Sequence, residues 1–232
     1  MSSIAENIGS IRGRMAAAAE KAGRDPKDIL LVGASKMNDA AACQAAIQAG
    51  IDALGENRVQ EMVQKLSENA YEGAPLHFIG HLQRNKVNKV VGHVDLIQSV
   101  GSLSLLEEIE KTAAARGLVQ DILLEVNIGR EEAKSGFLKE DLPAAAQAAL
   151  SMEHVRVLGL MTIPPADAQR EENIRYFQEV QALYVDINIK MFHNGLKYLS
   201  MGMSGDYADA IRAGATMVRV GTAIFGARDY SK

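Results

Sequence analysis

Eight short apolar segments alternate with helix-like segments along the 232 residues of this chain, and this alternation constrains the fold most strongly. The segments are nearly continuous apolar runs, a pattern typical of parallel strands that are buried on both faces. We therefore predict eight strands joined by helices. The predicted strands cover residues 29–35, 51–55, 77–80, 96–99, 122–128, 155–162, 198–201 and 217–221.

Eight strand-helix units in a chain of this length predict a single (β/α)8 barrel, a fold that typically has about 250 residues. No linker or low-complexity tract interrupts the sequence, so we treat residues 1–232 as one domain. An open doubly wound sheet is the alternative, although no G-x-G-x-x-G motif follows the first strand. An extra amphipathic helix should precede the barrel, because Ser3 and Glu6 have capping-box spacing.

Charge and cysteine content limit the class of protein. The net charge of −4 provides no overall basic field for nucleic acid, and Arg84, Lys86 and Lys89 fit a solvated helix face. Cys43 has no second cysteine to pair with and fits a buried, inert thiol. The N-terminus does not resemble a secretory signal, and no apolar run approaches the ~20 residues that span a bilayer. We expect a cytoplasmic protein that binds neither nucleic acid nor membrane.

Two basic residues lie at the ends of strands that would be neighbours in a closed barrel. Lys36 comes directly after the first strand, and Arg219 lies near the end of the last. Neighbouring strands lie ~4.8 Å apart. Desolvation and repulsion between the two cations would favour the neutral, nucleophilic amine. The pair predicts a site for an aldehyde, although a solvated lysine and an ion-paired arginine are the alternatives.

The loops after the seventh and eighth strands have the composition of a phosphate site. Residues 200–206 and 221–226 combine glycines with serines or with Thr222, and a helix should follow the first of them. In barrels of this type, phosphate groups usually bind beside these two loops. Glycines that only form tight turns are the alternative.

Other polar residues fall at the same end of the predicted barrel. Asn57 follows the second strand and His81 follows the third, so both could contact a ligand. The alternatives are that Asn57 is only a helix N-cap and that His81 is only a packing residue. Lys134 follows the fifth strand and fits a solvated residue. His77 and His81 do not form a metal site, because four strand residues span ~13 Å. We therefore predict no metal.

Five stretches of the sequence carry a resemblance to a known family. The most specific is Ser-Met-Gly-Met-Ser-Gly-Asp at 200–206; the others are 32–36, 54–57, 77–83 and 213–222. In this order and at this spacing the chain resembles the pyridoxal phosphate homeostasis proteins. The chain departs from the family pattern at three places: Arg58, residues 37–39 and residues 98–101. These departures affect contacts at the rim of the site.

The resemblance implies a cofactor and its contacts. The fold would be a fold type III barrel, like the N-terminal domain of alanine racemase. Pyridoxal 5′-phosphate would be held on Lys36 as an imine (a Schiff base), and Arg219 would face the pyridine nitrogen. Asn57 and His81 would line the pocket near the ring. Four residues would hold the phosphate: Ser200, Gly202, Gly221 and Thr222.

The resemblance also implies a role in cofactor homeostasis. We expect a monomeric, non-catalytic protein that stores, buffers or delivers pyridoxal phosphate, with apo forms of pyridoxal phosphate-dependent enzymes as possible recipients. No residue is assigned a catalytic role. A weakly active amino acid racemase is the alternative, and its second domain would not fit in the ten residues after Thr222. Without the resemblance, an isomerase or lyase for phosphorylated sugars that uses Lys36 is a further alternative.

Overall fold

A closed barrel of eight parallel strands forms the centre of the protein in a computed structural model that describes residues 3–226. The strands are paired in chain order around the barrel, which confirms the predicted (β/α)8 fold. Each predicted strand coincides with an observed one, and the ends differ by at most two residues. The strands are β1 Leu30–Ala34, β2 Ala53–Glu56, β3 Leu76–Phe78, β4 Leu96–Val100, β5 Gln120–Val126, β6 Val155–Thr162, β7 Tyr198–Ser200 and β8 Met217–Val220.

Helices surround the barrel. None of those in residues 3–226 is both long and apolar enough to cross a bilayer. A 3-10 helix, Arg84–Lys89, carries the basic cluster and replaces an α-helix between β3 and β4. A short 3-10 turn, Pro26–Asp28, precedes β1. The α-helices are α1 Ile4–Lys21, α2 Ala40–Gln48, α3 Val59–Ser67, α4 Leu103–Arg116, α5 Leu142–Leu150, α6 Arg170–Lys190, α7 Tyr207–Arg212 and α8 Thr222–Phe225.

The extra N-terminal helix covers the closure between the first and last strands. Its predicted capping box is confirmed, because Ser3 and Glu6 each accept a hydrogen bond from the backbone N–H of the other. Helix α1 packs against α2, α7 and α8, and Asn7 Nδ2 donates to the carbonyl of Ile224 at 2.8 Å. The start of the chain is thereby bound to the end of the barrel.

Closure pairs β1 with β8 in parallel. Val32 lies opposite Arg219, and Gly33 lies opposite Val220. The loop that carries Lys36 therefore leaves the barrel beside the strand that carries Arg219. A small cluster of side chains fills the barrel interior below them. This cluster comprises Val32, Ala53, Leu96, Leu123, Met161 and Met217.

Helix α3 differs from the pattern that its sequence suggests. The spacing of Val59, Met62, Val63 and Leu66 predicts one apolar stripe. In the structure Val63 is 42% exposed, whereas Lys65 is 4% exposed. The physical reason is a carboxylate at the end of β2, which forms a buried ion pair with the lysine. A charged partner from another element decides which face of α3 is buried.

Replacement of Gly80 by alanine should destabilise the fold by about 1–3 kcal/mol. A Cβ atom at this position would lie 2.5 Å from the Cα atom of Asn57, so two backbone segments at the mouth would have to separate. Urea unfolding measures the change. Gly9→Ala is the control, because its Cβ would meet no atom of residues 3–226 within 4 Å and alanine favours the helix by about 0.5–1 kcal/mol. Equal stability of Gly80→Ala and the parent protein would contradict the packing described.

Candidate functional site

A cavity of about 390 Å³ opens at the carboxyl ends of the strands and joins the first strand to the last. It brings together five of the predicted site residues: Lys36, Asn57, Arg219, Gly221 and Thr222. The remaining lining residues are Ala34, Ile79, Ile163, Met203, Ser204 and Gly205. Segments from the two ends of the chain thus line one cavity, because the barrel closes between its first and last strands.

Arg219 is the buried cation of this cavity. The residue is 3% exposed, and its Nη1 donates to Ser200 Oγ at 2.5 Å while Nη2 donates to the carbonyl of Thr162 at 2.9 Å. Burial lowers the pKa of Arg219 to about 10, against the opposing effect of Glu125 and Asp206. The guanidinium therefore stays charged at neutral pH, and hydrogen bonds on two sides fix its orientation.

A chain of buried polar side chains holds Arg219 from below. Ser200 Oγ donates to Gln98 Oε1 at 2.6 Å, and Gln98 Nε2 lies 2.9 Å from His77 Nδ1. All three residues are buried in the barrel. Burial lowers the pKa of His77 to about 4, so the imidazole is neutral at pH 7 and its Nδ1 accepts from Gln98.

Two of the predicted phosphate ligands lie away from the cavity lining. The Ser200 hydroxyl is engaged with Arg219 and Gln98. Gly202 has a φ of 92°, and a Cβ there would lie 2.9 Å from the Cα of Tyr207, which makes it a point of close packing. The structure brings neither of these residues into the set that lines the cavity.

The loop between β7 and α7 forms one rim of the cavity instead. Asp206 Oδ1 accepts from the backbone N–H of Met203 at 2.6 Å, and burial raises the pKa of Asp206. Ser204 Oγ accepts from the backbone N–H of Ala223 at 3.4 Å, which connects this loop to the one after β8. Sequence analysis marked the whole segment 200–206, but composition alone does not tell which members face inwards.

Asn57 presents an unsatisfied acceptor at the site. Its Oδ1 is buried and has no hydrogen-bond partner among residues 3–226. The helix N-cap alternative does not apply, because Arg58 occupies the N-cap position of α3. Buried polar atoms of folded proteins nearly always have partners, so this oxygen is a candidate contact for a ligand.

A second cavity, of about 320 Å³, shares Asn57, Ile79 and Ile163 with the first. His81 lines this second cavity and not the first. Lys134 also lies here, and its Nζ pairs with Glu131 at 2.5 Å.

Glu125 in the second cavity was missed by sequence analysis. Its carboxylate accepts from Ser135 Oγ at 2.9 Å, and burial raises the pKa of this residue. The signal was present, since an acidic residue interrupts the apolar run of β5. The charge of Glu125 raises the pKa of Arg219, so Glu125 also influences the first cavity.

Comparison with known proteins places the chain in a family. The sequence profile of the alanine racemase N-terminal domain matches residues 4–229. A pyridoxal phosphate homeostasis protein of Pseudomonas aeruginosa is 41% identical over 230 residues, which cover 99% of this chain and 98% of that protein. The chain belongs to the pyridoxal phosphate homeostasis protein family. A family member from Escherichia coli K12 is 39% identical over the full length of both chains.

Solved structures agree with this assignment. PipY of Synechococcus elongatus PCC7942, solved with pyridoxal phosphate bound, is 33% identical with a TM-score of 0.84, covering 96% of this chain and 100% of PipY. An alanine racemase of Clostridium difficile is 16% identical with a TM-score of 0.70, and covers 94% of this chain and 56% of the racemase. The second likeness concerns the barrel fold alone.

Acid should destabilise this homeostasis-family protein through His77. The pKa of His77 is about 4 in the folded state and 6.5 without burial, so the unfolded chain binds the proton more tightly. The stabilising effect of neutral His77 is complete above pH 6.5 and is lost as the pH falls towards 4, by about 3 kcal/mol in total. Urea unfolding at pH 7, 5.5 and 4 measures this loss.

His77→Gln is the matched variant for the acid experiment, since its amide can still bond to Gln98. Its free energy of unfolding should fall less between pH 6.5 and 4 than that of the parent. Parallel pH profiles for the two proteins would contradict a buried neutral His77.

Proposed function

We propose that this protein binds pyridoxal 5′-phosphate in the cavity between Lys36 and Arg219 and serves in homeostasis of the cofactor as a store and carrier. The observation that carries the proposal is that an amine and a buried guanidinium line one cavity at the closure of the barrel. The relatives that share the whole chain carry the name pyridoxal phosphate homeostasis protein, and PipY was solved with the cofactor.

The cavity suits the cofactor in size and in the chemistry of its lining. Its volume of about 390 Å³ falls in the range of small-molecule sites. The unpartnered Asn57 Oδ1 offers an acceptor, and the loops after β7 and β8 offer hydroxyls and backbone amides around glycines. Such loops accept phosphate groups, because amides near a helix start lack partners within the helix.

Lys36 would hold the cofactor covalently. Its Nζ adds to the aldehyde carbon, the two amine protons and the aldehyde oxygen leave as water, and a carbon-nitrogen double bond remains. The addition requires the neutral form of the amine, which is the nucleophile. A second amine that attacks the same carbon would release the cofactor and restore Lys36, which makes the attachment reversible.

Arg219 would limit the chemistry that the bound cofactor supports. Bound pyridoxal phosphate can stabilise a carbanion as an electron sink, and a protonated ring nitrogen strengthens that sink. Arg219 stays charged and donates a hydrogen bond, so it would hold the ring nitrogen unprotonated. The site then retains the cofactor while giving little support to carbanion chemistry at an amino acid.

The remaining predicted residues take distinct roles in this proposal. Gly221 and Thr222 stay predicted phosphate ligands, and Ser204 and Gly205 join them as members of the same lining. Ser200 orients Arg219 through its hydroxyl. The phosphate roles predicted for Ser200 and Gly202 and the ring contact predicted for His81 stay predictions, since none of these residues lines this cavity. Apo forms of enzymes that need the cofactor are the proposed recipients, and the monomeric state stays a prediction.

Borohydride reduction of the protein loaded with pyridoxal phosphate should fix the cofactor on the peptide that contains Lys36. The expected result is one added phosphopyridoxyl group, found by mass spectrometry of the digest, and loss of visible absorbance. Lys36→Ala should yield no such adduct, because it lacks the amine that forms the imine.

Lys134→Ala is the control for the borohydride experiment, because it removes the other amine near the mouth and should keep the Lys36 adduct. An adduct on Lys134 in the parent protein, or a reduced adduct on the Lys36→Ala variant, would contradict the proposed attachment.

A further inference from the structure

A buried ion cluster lies directly behind the segment that carries Lys36. Lys65 Nζ donates to Glu56 Oε1 at 2.7 Å, to Glu61 Oε1 at 2.8 Å and to the carbonyl of Ser35 at 2.9 Å. Glu56 is fully buried, and Lys65 is nearly so. Burial alone would lower the pKa of Lys65, but the two carboxylates outweigh it and raise that pKa, so the ammonium stays charged.

The cluster forms hydrogen bonds with both sequence neighbours of Lys36. On one side, Ser35 Oγ donates to Glu56 Oε1 at 2.6 Å, and the Ser35 carbonyl accepts from Lys65. On the other side, the backbone N–H of Met37 donates to Glu61 Oε1. Met37 has a φ of 63°, in the left-handed region that non-glycine residues rarely adopt. The backbone on both sides of Lys36 is therefore fixed by side chains of the cluster.

Packing alone gives no reason for a buried lysine at this position. The neighbouring buried residues of α3, Val59 and Met62, are apolar. Replacement of a buried ion pair by apolar residues of similar volume is often neutral or stabilising, because charges are costly to desolvate. A hydrogen-bonded charge does supply something that an apolar residue lacks, namely directional contacts to the backbone of the Lys36 loop.

We propose that Lys65 is a positioning residue for Lys36, acting through Glu56 and Glu61. The cluster holds residues 35–37 in the conformation from which the Lys36 side chain enters the cavity. This inference rests on the proposed covalent attachment of pyridoxal phosphate to Lys36. It assigns to α3 a function in cofactor attachment, although Lys65 itself is not among the residues that line the cavity.

Glu61→Ala is the sharpest variant, because it removes the acceptor of the Met37 N–H and one of the two carboxylates on Lys65, and leaves the buried Lys65–Glu56 pair in place. Glu61 is partly exposed, and Lys65 keeps Glu56 and the Ser35 carbonyl as partners, so the melting temperature should change by no more than about 4 °C. The rate at which pyridoxal phosphate becomes attached to Lys36, followed by stopped-flow absorbance, should fall roughly tenfold or more. Glu61→Gln, which keeps an acceptor oxygen, should recover most of that rate.

Two further measurements separate positioning from general damage. Binding of 4′-deoxypyridoxine 5′-phosphate, which has a methyl group in place of the aldehyde, should be equal in the parent and in Glu61→Ala. The control variant is Glu68→Ala, an exposed carboxylate just past the end of α3 whose loss should leave the attachment rate unchanged. The double variant Glu56→Gln/Lys65→Met removes the buried charges together and should repeat the loss of rate.

The outcomes distinguish this inference from the proposed function. Attachment in Glu61→Ala at the parent rate would overturn the positioning role while leaving the carrier proposal intact. An equal loss of attachment and of deoxypyridoxine phosphate affinity would also overturn it, because the cluster would then support the pocket as a whole. A parent protein that forms no bond at Lys36 would overturn both.

Discussion

The pairing of β1 with β8 is the contact on which the site depends. It places Val32 opposite Arg219 and joins parts of the chain that are almost 190 residues apart in sequence. Without this closure, the amine after the first strand and the guanidinium of the last would not share a cavity. Helix α1 reinforces the same seam from outside, where Asn7 bonds to the carbonyl of Ile224.

Two buried polar networks support the mouth of the barrel from different sides. One runs from Arg219 through Ser200 and Gln98 to His77, and the other joins Lys65 to two glutamates. Unpaired, these groups would destabilise the interior, but each network supplies partners for its charged member. The first network fixes the side chain of Arg219, and the second fixes the backbone beside Lys36.

The barrel could be predicted from sequence because apolar runs and their spacing report strand burial directly. The strand ends were right within two residues, and the closure between first and last strands followed from the fold. Helix α3 shows the limit of this approach. A periodic apolar pattern does not reveal that Glu56, nine positions earlier, would draw Lys65 inwards in place of Val63.

The candidate site was predicted in part for a similar reason. The strand ends meet at one mouth, and five of the residues predicted from that rule line one cavity: Lys36, Asn57, Arg219, Gly221 and Thr222. The roles within a loop depend on φ angles and on which hydroxyls are already bonded. Sequence could not show that Ser200 turns towards the arginine while Ser204 turns towards the cavity, since the two serines are only four residues apart and chemically alike.

A crystal structure of the protein soaked with pyridoxal 5′-phosphate tests the central claim most directly. The account predicts continuous density from Lys36 Nζ to the cofactor, with a guanidinium nitrogen of Arg219 within about 3.2 Å of the ring nitrogen. It also predicts the phosphate beside the loops that follow β7 and β8. A cofactor bound elsewhere, or one in this cavity with its ring nitrogen turned away from Arg219, would contradict the account.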